Sequence, residues 1–497
     1  MRQGFRYLPP PLKTLITLGN EQLCDIAHNI AKCHFVRQKS LTLECTAEYC
    51  RSQHEYGIAI KKSSRHSLDG IMMRLRSEVY WREQINNLAD EHREHHAMQG
   101  KLLGDPKYGL MPYCTDQTAK LFEDRRTSIH AKMQRSVAIP STGVTKSDIY
   151  ANSERSRLNQ LYLTVKAMEQ LAVSREYIWI MMTLTCPPSF HPSSKSYDGS
   201  SLRDGNDFLN QLYRKLFKFL GKKYHANADY FGLRVAEVHQ DGCPHWHVLF
   251  YCSDKMLIDI QSKLEQLLSG DGRPDGYYKT YSNKILKKQV DSGNETSPIG
   301  YVFKHLFPRS SGNVSTTDTR TDRRVSYALR AAGVRQYQLI GAEGISTKVR
   351  ALRKIANDPS APNNLKQLAT TLVANPADDR ARRLQGMVDL LDHASRDVKF
   401  IRELCLNRFR EPASRLSHLK HHKDKRCYEL GRYSITAICS AAVTINVSSK
   451  KKGNTRSSNC ISLRKIYHYS TQEQIQSIDL STPCLAYPPA QLRWRPP

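Results

Sequence analysis

Residues Phe231–Tyr251 read FGLRVAEVHQDGCPHWHVLFY. Phe231 to Val238 is rich in apolar and β-branched residues, Gln240-Asp241-Gly242 is a turn signal, and His245 to Tyr251 is a second strand-like run; together they predict a β-hairpin. Alternate residues of a strand share a face, so His245 and His247 point the same way and both imidazoles can reach one cation. A three-residue loop ending in a left-handed glycine pairs Glu237 with His245. A two-residue Asp-Gly loop puts Trp246 there instead, so the third ligand hangs on the loop. Two neutral imidazoles and a carboxylate leave open positions on a metal for a substrate oxygen, as metal-assisted phosphodiester chemistry requires. An ordinary hairpin with two surface histidines would carry the same letters.

The chain has 497 residues, enough for two or three domains, and 75 Lys and Arg against 47 Asp and Glu give a formal charge of +28. That excess is spread along the chain and points to a polyanionic partner, nucleic acid ahead of a membrane surface. Thirteen cysteines without a CxxC pair argue against a secreted disulfide framework and for a reducing compartment. MRQGFRYLPPPLKTL has no apolar core of signal-peptide length, and Ile435–Val447 is too short and hydroxyl-rich to span a bilayer. A cytoplasmic protein without a membrane partner is expected.

Cys24, His28, Cys33, His34, Cys45, Cys50 and His54 fit no standard zinc module and read as buried thiols and surface imidazoles. Residues 67–135 read as helical, with His92, His95 and His96 on a solvated face. Ala138–Ser147 is turn-rich, and Arg155–Ser174 has apolar residues at helical spacing. Tyr177–Thr185 (YIWIMMTLT) predicts a buried central strand, Asn206–Lys223 an amphipathic helix with a basic face, and Lys255–Leu268 another helix. Tyr277, Tyr278 and Tyr281 stand in a basic stretch and could stack bases or pack a sheet. Ser297-Pro298 starts a helix that Pro308 ends, with Tyr301, Lys304 and His305 on one face. A basic, helical segment is expected from Ala331 to about residue 410. His418, His421, His422 and Cys427 read as part of a solvated basic loop. No GxxxxGK[ST] sequence occurs, so no nucleotide-driven motor is expected. The element order suggests an α+β domain with a mainly antiparallel sheet and helices on its faces.

Three blocks in this order resemble the replication gene A protein family of bacteriophages, a branch of the HUH endonucleases: MMTLTCPPSFHP (Met181–Pro192), the hairpin, and PIGYVFKHLF (Pro298–Phe307). Ala332–Ile340 (AGVRQYQLI) is also similar to a family segment. The resemblance implies an HUH-type domain over residues 171–345, after a mostly helical region (1–170) and before a basic region (346–497) whose tail is expected to be partly disordered. It implies a rolling-circle initiator that nicks one strand at a phage origin. His245 and His247 are then metal ligands, with Glu237 inferred as the third, and Tyr301 is the nucleophile that becomes 5′-linked to DNA. Mg²⁺ or Mn²⁺ is the expected ion, although the histidines would also take Zn²⁺. Single-stranded or locally melted origin DNA is the expected substrate and a host helicase the expected partner. In the family pattern a second tyrosine follows four residues after the first; here His305 occupies that place, and Pro308 stands where a second lysine would be. That departure leaves a single-tyrosine transposase or relaxase, or a catalytically silent DNA-binding prophage remnant, as alternatives.

Overall fold

The run Tyr177–Thr185 forms a central strand because both of its sides are covered. The structure, a computed structural model, describes residues 12–37, 68–134, 137–139, 144–268, 286–289, 298–303, 316–342, 344–356, 361–372, 380–392, 398–407 and 411–421, with 358, 409 and 428–429 besides. Two compact units are distinguished: 1–126 with 150–432, and 127–149 with 433–497. The described part of the second unit holds the short antiparallel pair Val137–Ile139 and Val144–Thr145.

In the first unit five strands form one sheet: β1 (Ile178–Thr185), β2 (Tyr230–Val238), β3 (Pro244–Cys252), β4 (Leu286–Gln289) and β5 (Tyr337–Ile340). Their order is β4-β1-β3-β2-β5, and every pairing is antiparallel. The fold is α+β. All of β2 is buried, and so is all of β3 except His245. Strands covered on both faces read as continuous apolar runs rather than alternating ones. Gly232 is needed where β2 meets β3, because a Cβ there would lie 2.0 Å from the Leu249 carbonyl oxygen.

The helices are α1 (Asn20–Arg37), α2 (Leu68–Leu75), α3 (Glu78–Gln99), α4 (Asp116–Gln134), α5 (Lys146–Ser174), α6 (Leu202–Leu220), α7 (Asp254–Leu268), α8 (Pro298–Phe303), α9 (Thr316–Ala331), α10 (Ile345–Ala356), α11 (Asn363–Leu372) and α12 (Arg380–Asp392). On one sheet face Ile180, Met182, Trp246, Val248 and Phe250 pack with α6, α7 and α9. On the other, Met181, Leu233, Val235, Leu249 and Tyr251 pack with α5, α8 and α10 to α12. No helix among the described residues is long and apolar enough to cross a membrane.

The amphipathic helix expected from Asn206 begins four residues earlier, at Leu202. Ser201 and Asp204 form a capping box, each side chain binding the other's backbone N–H, which satisfies donors the first turn would leave bare. Ser201→Ala is expected to cost about 1 kcal/mol of stability, read from a denaturant midpoint at unchanged m-value.

Two expectations are corrected here. The charged run of α3 is not a solvated face: Asp90, Arg93 and Glu94 are all buried. Asp90 binds Arg93 at 2.9 Å and Arg125 of α4 at 2.5 Å, while Glu94 accepts hydrogen bonds from Thr115, so the two buried carboxyls have partners. His95 Nε2 lies 2.8 Å from the Gly199 carbonyl, and only His96 of the three histidines is exposed. The basic segment past Ala331 does not stay helical to residue 410. After strand β5 and helices α10 to α12 it ends in a hairpin of β6 (Val398–Leu406) and β7 (Pro412–His421). Asn407 turns it, its side-chain oxygen accepting from the Phe409 and Glu411 N–H groups, while Phe400 and Leu416 pack against the second sheet face. His418 and His421 are thus strand positions, not loop positions.

The turn of this hairpin reaches the N-terminal helices. Arg74 of α2 forms a two-pronged, buried ion pair with Glu411 at 2.6 and 2.7 Å, and its guanidinium lies 4.0 Å from the Phe409 ring centroid. Residues Ile435–Val447, Tyr277, Tyr278, Tyr281, His422, Cys427 and the tail lie outside the described residues.

Candidate metal centre and active site

The hairpin turn decides the site. Between Val238 and Pro244, His239 N–H bonds the Cys243 carbonyl at 2.8 Å, so the ladder continues to a three-residue turn, Gln240-Asp241-Gly242. Gly242 takes φ +91°, the left-handed region that suits glycine. This register pairs Glu237 with His245 and leaves Trp246 on the opposite face, where it is fully buried with Arg234 at 4.0 Å from its ring.

Glu237, His245 and His247 come together, their candidate ligand atoms all within 4.8 Å of one another. Glu237 Oε2 lies 3.3 Å from His245 Nε2 and 3.4 Å from His247 Nε2. The His245 side chain is 12% exposed and His247 only 6%, so His245 is the more open of the two rings. On β1, Thr183 pairs with His247, and its Oγ1 sits 3.1 Å from His247 Nδ1. A second partner of this kind fixes the ring and leaves Nε2 for an ion, which is how metal-binding imidazoles are held. Two imidazole nitrogens and a carboxylate oxygen fit a divalent cation with positions left for substrate.

Around the triad lie residues that spacing alone had not singled out. His239, two residues beyond Glu237 on the same strand face, stacks on His245 with centroids 4.1 Å apart. Burial, with His245 and His191 nearby, pushes the His239 pKa down to about 4, so it is neutral at neutral pH. His191, from the loop after β1, lies 5.2 Å from His239 and holds Asp241 through Nδ1 at 3.0 Å. Asp241 also accepts from Ser193 Oγ at 2.8 Å and from the Cys243 N–H at 3.1 Å. Burial alone would raise its pKa, but these hydrogen bonds outweigh burial and hold it at about 2. A carboxyl depressed in the folded state stabilises the fold above its unfolded pKa and loses that contribution as pH falls. Asp241 should therefore contribute about 2 kcal/mol at neutral pH, lost progressively between about pH 4 and pH 2. Comparing the acid unfolding of wild type and Asp241→Asn measures it; identical acid limbs would rule the contribution out.

Helix α8 carries Tyr301 and packs through Ile299, Val302 and Phe303 on the sheet face that also bears the triad. Phe303 meets Tyr162 of α5 edge-on at 5.3 Å. Lys304 and His305 lie outside the described residues.

A family model for the bacteriophage replication gene A protein matches residues 21–306, more than half of the chain. The chain belongs to the bacteriophage replication gene A protein family. Among its relatives, the replication protein of Haemophilus phage HP1 (strain HP1c1) is 26% identical over 313 residues, 59% of this chain and 39% of that protein. The replication gene A protein of Escherichia phage 186 is 24% identical over 327 residues, 58% of this chain and 44% of its own. A probable replication endonuclease from prophage-like region 1 of Salmonella typhi is 25% identical over 235 residues, 44% of this chain and 28% of that protein. The match thus covers less than half the length of each of these relatives. No solved structure matches the chain.

Proposed function

We propose that this chain initiates rolling-circle replication by nicking one strand of phage DNA and becoming linked to its 5′ end. The observation that carries this reading is the buried Glu237–His245–His247 cluster on the sheet face that also receives the helix bearing Tyr301. Glu237, His245 and His247 would hold Mg²⁺ or Mn²⁺, ions suited to an oxygen-rich substrate complex. When bound there, such an ion supplies charge neutralisation at a non-bridging oxygen of the scissile phosphate.

The chain's own residues then act as follows. Tyr301 attacks phosphorus as a phenolate, the tyrosyl O–P bond forms, the P–O3′ bond breaks, and a free 3′-hydroxyl is left to prime synthesis. A phenol with a pKa near 10 needs a cationic neighbour to ionise, and Lys304, three residues further along the sequence, is the candidate. Thr183 keeps the His247 ring in place, and the apolar core beneath holds both ligand strands rigid. The charge of +28 draws single-stranded or locally melted origin DNA. With no motor motif in this sequence, a host helicase is the implied partner.

His305 in place of a second tyrosine favours one covalent step per protomer, as in single-tyrosine transposases and relaxases. The experiment is a nicking assay on supercoiled plasmid carrying DNA that flanks the gene, with EDTA, Mg²⁺ or Mn²⁺, followed by mapping of the nick. Metal-dependent open circles with protein on the 5′ end are expected. Binding without cleavage in any metal would instead identify a silent DNA-binding remnant.

A further inference from the structure

The first family-like block, Met181–Pro192, supplies more than a strand. Beyond Thr183 it carries His191, whose bond to Asp241 is described above, and neither His191 nor Asp241 belongs to the ligand cluster. Asp241 is buried and its carboxylate is satisfied three ways, by His191, Ser193 and the Cys243 N–H. That arrangement fixes the His191 ring by its Nδ1 and leaves Nε2 to meet a substrate, with the side chain 20% exposed. His239 lies deeper, with Nε2 buried, so His191 is the outermost ring of the row His191–His239–His245.

The order along the strands matters. At the turn end stands the His191–Asp241 pair, next comes the triad, and beyond it are Leu249, Tyr251, Val235 and Leu233, in the cluster that includes α8. In phosphoryl transfer the attacking and leaving oxygens stand in line on opposite sides of phosphorus. Attack from the side of the cluster to which α8 belongs would put the departing oxygen on the turn side.

We propose that His191, oriented by Asp241, is the general acid that protonates the 3′-oxygen as it leaves. This rests on the nickase reading given above. As the Tyr301 O–P bond forms and the P–O3′ bond breaks, the electron pair goes to O3′, which takes the proton from His191 Nε2. Imidazolium becomes imidazole and the product is a 3′-hydroxyl. In resealing, neutral Nε2 takes that proton back and the 3′-oxygen attacks the phosphotyrosine. His191 is a catalytic residue in this scheme; Asp241 and Ser193 position it.

The test uses the full chain and single-stranded oligonucleotides spanning the mapped nick, with either oxygen or sulfur as the bridging 3′ atom. A thiolate leaves without a proton, because a thiol is far more acidic than an alcohol. His191→Ala is expected to slow cleavage of the oxygen substrate by roughly 10²-fold or more, the range of general acid catalysis. On the sulfur substrate wild type and variant should cut at closely similar rates. His191→Asn, which keeps an N–H toward Asp241 and so protects the loop, should show the same pattern. Asp241→Asn should show a smaller loss that also vanishes with sulfur. An equal loss on both substrates, or wild-type rates for His191→Asn on oxygen, would overturn the proposal. If wild type cuts the oxygen substrate and sulfur fails to rescue, only the acid is wrong. If wild type cuts neither, the nickase reading falls and the acid with it.

Discussion

His245→Ala and His247→Ala should each remove nicking by roughly 10³-fold, the loss of about 4 kcal/mol of charge stabilisation at the phosphate. Either change takes a nitrogen away from a cluster whose ligand atoms all lie within 4.8 Å, so a remaining pair would hold the ion weakly. Binding to single-stranded DNA should survive, because the spread positive charge supplies it and not two interior imidazoles. That binding should weaken steeply with added salt in wild type and variants alike, as counterion release requires. Glu237→Gln keeps the shape and removes the charge, so it should raise the metal concentration needed for half-maximal nicking more than it lowers stability. Titrating Mn²⁺ against cleavage in each variant checks the set. Full nicking by the double histidine variant would take the cluster out of the reaction.

Tyr301→Phe should be the more severe change. It deletes the attacking oxygen while keeping the ring, and cleavage should fall by roughly 10⁴-fold or more, as when an enzyme loses its nucleophile. The covalent adduct should vanish altogether, which peptide mass spectrometry of the trapped protein–oligonucleotide complex would show. Adduct persisting in this variant would place the nucleophile elsewhere. His305→Tyr offers the converse: a phenol restored four residues after Tyr301 in the sequence should add a second strand-transfer event. A phosphohistidine at His305 would be too labile to substitute for it.

Much of the central domain was legible because its signals are local. The runs of β1 and β3 are continuous apolar strands, and Gly242 permits the turn that sets Glu237 opposite His245. The open choice between loops could not be closed by reading, since Asp-Gly suits either length. It closes on the bond from His239 to Cys243, which extends the ladder to a three-residue turn. What stayed hidden depends on separation along the chain. His191 and Asp241 are 50 residues apart, and no periodicity joins a loop histidine to a turn aspartate. Charged letters in α3 look solvated until Arg125 and Thr115 arrive from other segments to compensate them. Residues 398–406, with Leu, Arg and Glu among them, suit a helix as well as a strand, and pairing with β7 decides the matter.

The Arg74–Glu411 pair has a consequence for how the molecule is made. The partners lie 337 residues apart. At a synthesis rate of about 5–20 residues per second, Arg74 is added to the chain roughly 17–70 seconds before Glu411. Through that interval the helices around Trp81 and Ile85 lack the side chains that complete their core, Phe409 among them, and must keep a guanidinium wet that the finished protein buries. The part of the chain translated first thus waits for one of the later segments. A ribosome stalled before residue 411 would present a formed sheet beside an N-terminal bundle still open to proteases.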